Sequence, residues 1–265
     1  MLEIVNLHKV FNYGKVNQNY ALRGIELSVS RGDFITIIGS NGAGKSTLLN
    51  MVAGTYPPEI GRINIGPTDV TNWSVHKRAY LVGRVFQDPL KGTASEMTIE
   101  ENLSMAGKRG KKRGLRPGLN QRQRVSFKEL LAKLELGLEN RLESPVKLLS
   151  GGQRQALTLL MATLGAPKVL LLDEHTAALD PKTAIQIMEI TEQVVAEHEL
   201  TVLMVTHDLK QALSLGNRTI MMDKGKIILD LRGEEREKTT VPGLLKMFTE
   251  KSGHELTDDR VLLSK

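Results

Sequence analysis

Eight consecutive residues, Gly39-Ser40-Asn41-Gly42-Ala43-Gly44-Lys45-Ser46, have the types and spacing of a phosphate cradle, G-x-x-x-x-G-K-[ST]. The glycines let the backbone curl until its N–H groups surround phosphate oxygens. A helix opening directly after such a loop adds the positive potential of its N-terminus. Lys45 would reach the β- and γ-phosphates of a nucleoside triphosphate, and Ser46 would ligate Mg²⁺. A second pattern, Val169-Leu170-Leu171-Leu172-Asp173-Glu174, is an apolar run ending in two acids. Asp173 would hold the metal, directly or through water, and Glu174, one residue on, would polarise a water for attack on the γ-phosphate. Alone, that strand end is equally well read as a helix cap with a solvated neighbour. Its pairing with the phosphate loop gives it chemistry.

These side chains need a scaffold of strands that end where the chemistry begins. Phe34-Ile35-Thr36-Ile37-Ile38 is a short apolar run that predicts a buried central strand, feeding the loop and then a helix from about Lys45. Residues 169–172 predict a second buried strand and 201–205 a third, while 2–11 and 20–30 alternate as half-buried strands do. From Ile220 onward the pattern is a hairpin around Lys224-Gly225. Between about Asp88 and Leu149 the pattern turns helical: Thr98-x-x-Glu101 and Ser126-x-x-Glu129 are both capping-box signals, the second predicting a helix that stops near Gly137. The tail after Arg232 is highly charged, then weakly helical over 241–248.

Leu149-Ser150-Gly151-Gly152-Gln153 contains a third capping box, Ser150-x-x-Gln153, opening a helix predicted over 151–165. Its two glycines would keep the helix start uncovered, so that a phosphate could approach. These five residues are, letter for letter, the signature of the ABC (ATP-binding cassette) ATPases, and the chain resembles that family over residues 1–230. The family's other motifs follow in order: Gln87 in Val85-Phe86-Gln87-Asp88-Pro89 resembles the Q-loop, Ala178-Leu179-Asp180 the D-loop, and His207 in Val205-Thr206-His207-Asp208 the switch histidine.

The resemblance implies an ATPase with ATP and Mg²⁺ as cofactors. Glu174, His207 and Gln87 would serve catalysis, and Ser46, Gln87 and Asp173 the metal. Gly39, Ser40, Asn41, Gly42, Ala43, Gly44, Lys45, Ser46 and Thr47 would line the nucleotide, joined by Ser150, Gly151, Gly152, Gln153 and Asp180 acting across a head-to-tail homodimer. The family's aromatic loop points to Phe11 as the adenine platform, with Tyr13 second; Phe11 as a core residue of the first strand is the alternative reading. Two positions depart from the pattern, His175 where the family usually has proline and Ala177 where it has serine. His175 would meet a partner cassette, tune Glu174, or be neutral variation.

The implied fold is α/β: a P-loop NTPase (RecA-like) core with a mostly parallel sheet, an N-terminal antiparallel β subdomain and an inserted helical subdomain. It would form a single ABC ATP-binding domain over 1–265, with the core at about 1–88 and 151–232, the helical lobe at about 89–150 and a C-terminal tail at about 233–265. The implied function is to energise a membrane transporter, with a polytopic permease and an extracytoplasmic solute-binding protein as partners. The location would be cytoplasmic, peripheral on the inner face of the cell membrane. The stretches around Arg84 to Pro89 and Asn41 to Lys45 resemble cassettes paired with branched-chain-amino-acid-like permeases, which suggests import of an amino acid or related small solute.

Composition sets limits on this reading. No apolar run is long enough to cross a bilayer, and there is no cysteine, which excludes disulfides, thiolate metal sites and a cysteine nucleophile. The net charge of +6 is local: residues 107–128 hold nine Lys or Arg and no acid, and the rest of the chain carries 27 basic and 30 acidic residues. That stretch, with Lys111, Lys112, Arg113 and Arg116, reads as a solvated loop or as a segment attracted to anionic lipid, an acidic partner or nucleic acid. It is the best argument for the alternative function, a soluble ABC ATPase acting on ribosomes or nucleic acid. Nucleic acid is the less expected partner, because ribosome-type members usually carry two cassettes and DNA-repair members long coiled-coil insertions, and this chain has neither.

Overall fold

The computed structural model describes residues 1–111 and 119–253. Lys112, Arg113 and Arg116 of the basic stretch lie outside the described residues. The chain divides into two compact units, Met1–Arg78 with Leu200–Lys265, and Ala79–Glu199.

In the first unit, β1 (Leu2–Phe11) pairs antiparallel with β2 (Asn19–Val29) on one side and β4 (Ile60–Ile65) on the other, and β5 (Thr68–Asp69) pairs with β4. The alternation along β1 puts Leu2, Ile4 and Leu7 inside and Glu3 and Val5 outside, so one face meets the core and the other water. A second sheet is built on β3 (Phe34–Gly39), which runs parallel to β8 (Thr201–Val205) and to β9 (Arg218–Asp223). Every residue of these three strands is buried, the mark of parallel strands covered on both faces. The hairpin at Lys224-Gly225 then turns β9 into antiparallel β10 (Lys226–Arg232).

The helices of this unit are α1 (Lys45–Ala53), α2 (Val75–Arg78), α7 (Leu209–Ser214), α8 (Gly233–Lys238) and α9 (Val241–Ser252). Within the tail α9 is docked: its Leu244 and Phe248 are fully buried in a cluster with Ile38, Leu209, Met221 and Leu231. Arg78 anchors the far end of α1. It is 1% exposed, and its guanidinium donates to the carbonyls of Met51 (2.7 Å), Val52 (2.9 Å), Thr71 (3.0 Å) and Trp73 (3.1 Å). Burial holds its pKa down at about 10.

In the second unit β6 (Val82–Val85) runs parallel to β7 (Val169–Asp173). Around them lie α3 (Ile99–Gly107), α4 (Gln121–Ala132), α5 (Gly151–Thr163) and α6 (Pro181–Glu197), with short 3-10 turns at Pro89–Gly92, Leu138–Asn140 and Val146–Leu148. The capping boxes expected at Thr98 and Ser150 are both complete. The one expected at Ser126 is not: Ser126 lies inside α4, which starts six residues earlier on a box made by Asn120 and Gln123. The earlier start lets Phe127 and Leu131 share a buried face, and a cap at Ser126 would leave Phe127 in the first turn. The helix also ends at Ala132, before the expected stop near Gly137.

Candidate functional site

In the first unit the phosphate loop leaves β3 at Gly39 and enters α1 at Lys45. Gly39, Gly42 and Gly44 all have positive φ, at 146°, 79° and 101°. At Gly39 a Cβ would lie 2.1 Å from the Met222 carbonyl oxygen, and at Gly44 one would lie 2.5 Å from that of Ala21, so the curl excludes any larger residue there. At Gly42 nothing lies within 4 Å of that position, which leaves the mouth of the loop open. The Lys45 ammonium is folded back over the loop, donating to Gly39 O (2.6 Å) and Ser40 O (3.0 Å). Ser46 is exposed in the first turn of a helix whose N-cap, Gly44, offers no side-chain acceptor to the first N–H groups. A curled backbone, an uncapped helix start and one lysine directed inward are the fit expected for a triphosphate.

The loop is braced from the β9–β10 turn, far along the chain. Ser40 Oγ donates to Asp223 Oδ1 (3.2 Å), and the Gly225 N–H donates to Ala43 O (3.0 Å). His207 follows β8, partly exposed, and its neighbour Asp208 caps α7 by accepting from the N–H groups of Lys210 and Gln211. Phe11, at the end of β1, stands edge-on to Tyr56 with ring centres 5.2 Å apart, and the Lys9 ammonium sits 5.3 Å from the Phe11 ring. Tyr13 is 78% exposed. Tyr56 is the aromatic partner that sequence reasoning missed, since it lies far along the chain from Phe11.

In the second unit the register of β6 on β7, Val85 opposite Leu172, sets Phe86-Gln87 beside Asp173-Glu174. Gln87 Nε2 donates to Glu174 Oε2 at 3.0 Å. Glu174 has φ +48°, a left-handed conformation uncommon for a residue with a side chain, and such strain concentrates at functional positions. Asp173 pairs with Arg84 at 3.2 Å, and that guanidinium also lies 4.4 Å from the centre of the Phe86 ring. No cluster of three or more His, Cys, Asp or Glu occurs among the described residues. The Asp173 carboxylate is a donor of the kind Mg²⁺ takes, since that ion binds one or two carboxylates and completes its shell with phosphate oxygens and water.

The signature residues open α5. The Ser150 side chain accepts from the Gln153 N–H, and the Gln153 side chain accepts from the Ser150 N–H. The two glycines differ in role. Gly151 is exposed, whereas Gly152 is buried with a Cβ position only 2.2 Å from Thr183 Cγ2, so its smallness serves packing of α5 on α6 within the chain. Asp180 is the N-cap of α6, accepting from the Thr183 N–H at 3.1 Å, and hydrogen bonding from the Thr183 side chain, then from its backbone, lowers the Asp180 pKa. His175 is 1% exposed, which removes it from any surface a partner cassette could touch. Its Nε2 lies 3.1 Å from Thr191 Oγ1, whose own hydrogen goes to Ile187 O at 2.7 Å, so His175 donates as the neutral Nε2–H tautomer. Burial pushes its pKa down to about 4.

The family model for ABC transporter matches residues 22–177, and the chain belongs to that family as an ATP-binding, ATP-hydrolysing subunit. It is 46% identical to the tyrosine transport ATP-binding protein of Clostridioides difficile, over 94% of this chain and 98% of that one. It is 35% identical to the aliphatic sulfonates import ATP-binding protein SsuB 1 of Rhizobium johnstonii, over 87% of this chain and 76% of the relative. A dimeric ATP-binding cassette in a post-hydrolysis state with ADP and Pi bound matches with a TM-score of 0.73 at 31% identity, covering 88% of this chain and 98% of that one. The ADP conformation of another ABC transporter cassette matches with a TM-score of 0.75 at 28% identity, over 94% and 98% of the two chains. The α/β, P-loop NTPase fold expected from the motifs is the fold of these cassettes.

Proposed function

We propose that this subunit energises an importer of amino acids, working as an ATP-closed, head-to-tail homodimer on a membrane permease at the inner face of the cell membrane, with an extracytoplasmic solute-binding protein delivering the solute. The observation that carries the catalytic part is Glu174, strained at φ +48° one residue beyond Asp173 and oriented by Gln87. In this reading Lys45 and Ser46 bind the triphosphate and Glu174 accepts a proton from the attacking water. Phe11 and Tyr56 offer an aromatic surface for adenine. Mg²⁺, held by Ser46, Asp173 and Gln87, would neutralise charge on the phosphates. Ser150, Gly151, Gln153 and Asp180 would close on the nucleotide of the partner subunit.

Support for import comes from the transport and import names of the relatives, and support for an amino acid from the tyrosine transport protein. No helix among the described residues is long and apolar enough to cross a membrane, which agrees with a permease on a separate chain. The test is uptake of labelled tyrosine and other amino acids by cells in which Lys45→Ala replaces the native residue. Loss of uptake of one amino acid is expected. Unchanged uptake across the amino acids would overturn the assignment.

A further inference from the structure

Gln155 sits one turn into the signature helix and is fully buried. Its side-chain amide is bonded on one end only. Nε2 donates to the Phe86 carbonyl at 3.1 Å and to the His175 carbonyl at 2.6 Å, while Oε1 has no partner. Two carbonyl oxygens demand a donor, so the amide orientation is fixed by chemistry, and both of its hydrogens are used. Those carbonyls belong to the residue before Gln87 and the residue after Glu174. The pair that the amide joins is therefore the pair whose side chains meet at 3.0 Å. The rest of α5 closes on the same segments. Gly83 of β6 could not carry a Cβ, which would lie 2.5 Å from Ala162 O, and neither could Gly92, where it would lie 2.3 Å from Thr158 Cγ2.

We infer that Gln155 is a positioning residue for hydrolysis: it ties the backbone before Gln87 to the backbone after Glu174 and so holds Gln87 and Glu174 in register with the helix that carries the signature motif. An unpaired buried Oε1 costs stability, and no aliphatic residue of similar size would carry that cost. The gain is the spacing of two loops that no strand pairing fixes beyond Val85 and Leu172. This inference rests on Glu174 being the general base.

The experiment compares Gln155→Leu, Gln155→Glu and Glu174→Gln in the assembled transporter, with nucleotide affinity measured on the isolated subunit. Gln155→Leu is expected to lower kcat for ATP hydrolysis about 10- to 100-fold, the scale of a catalytic group misplaced by an ångström. Its Mg-ATP affinity stays within about threefold of wild type, since the phosphate loop is untouched. Gln155→Glu provides a readout that packing alone would not move. Facing two carbonyls, its carboxyl donates only when protonated, so its kcat relative to wild type rises between pH 8 and pH 6, whereas the ratio for Gln155→Leu stays flat. A folded Gln155→Leu with kcat within threefold of wild type overturns the inference, as does a Gln155→Glu ratio that does not change with pH. If Glu174→Gln itself hydrolyses ATP at the wild-type rate, it is the assignment of the base that fails.

Discussion

Acidification should destabilise this protein through one histidine. His175 is held neutral in the folded chain, with its pKa pushed to about 4 by complete burial, against an ordinary value near 6.5. Because the folded value is the lower one, the unfolded chain takes up a proton between pH 6.5 and pH 4 that the folded chain refuses. Stability therefore falls as pH falls through that window and is unaffected above it. A gap of that size amounts to about 3 kcal/mol in full, and about 2 kcal/mol of it is lost between pH 7.5 and pH 5. Carboxylates with depressed pKa values, such as Asp69 and Asp180, also lose stability in acid, so the histidine must be isolated by comparison. The assay is urea unfolding at pH 7.5, 6 and 5 for the wild type and for His175→Leu. The variant is expected to be less stable at pH 7.5, having lost the bond to Thr191, yet to lose about 2 kcal/mol less on going to pH 5. Equal pH dependence in the two proteins would refute the reasoning.

Arg78→Met should cost about 4 kcal/mol by urea unfolding, since it strips buried donors from the carbonyls of Val52, Thr71 and Trp73, each worth about 1–3 kcal/mol when left unpaired. A loss below about 1 kcal/mol would show that water replaces the guanidinium there. Ser150→Arg should leave Mg-ATP binding to the monomer intact and abolish ATP-dependent dimerisation in a Glu174→Gln background. A dimer of normal mass on light scattering would count against action across the dimer. Gly39→Ala should destabilise the chain by several kcal/mol, because its Cβ would come 2.1 Å from a backbone oxygen at φ 146°; unchanged denaturant midpoints would contradict the strained geometry of the loop.

Much of this was legible from local pattern. The buried strands at 34–39, 169–173 and 201–205 are short apolar runs, and the phosphate loop and signature helix announce themselves by glycine spacing and capping boxes. What escaped depends on residues brought together from afar. Arg84 looks like a strand residue until β6 lies beside β7 and its guanidinium finds Asp173. Tyr56 is unremarkable until it stands against Phe11, and Gln155 until its amide reaches two loops. Asn120-x-x-Gln123 and Ser126-x-x-Glu129 both have the spacing of a capping box, only the first forms one, and the buried face through Phe127 and Leu131 chooses between them. The helix expected over 241–248 is present as α9, Val241–Ser252, and what the sequence did not show is that Leu244 and Phe248 bury its inner face.

The central claim, that this subunit hydrolyses ATP with Glu174 as its base, is tested most directly by steady-state ATP turnover of Glu174→Gln in the assembled transporter. The account predicts ATP binding retained and turnover reduced by about 100-fold or more, the loss expected when an acid–base group is removed. Turnover near the wild-type rate would contradict it.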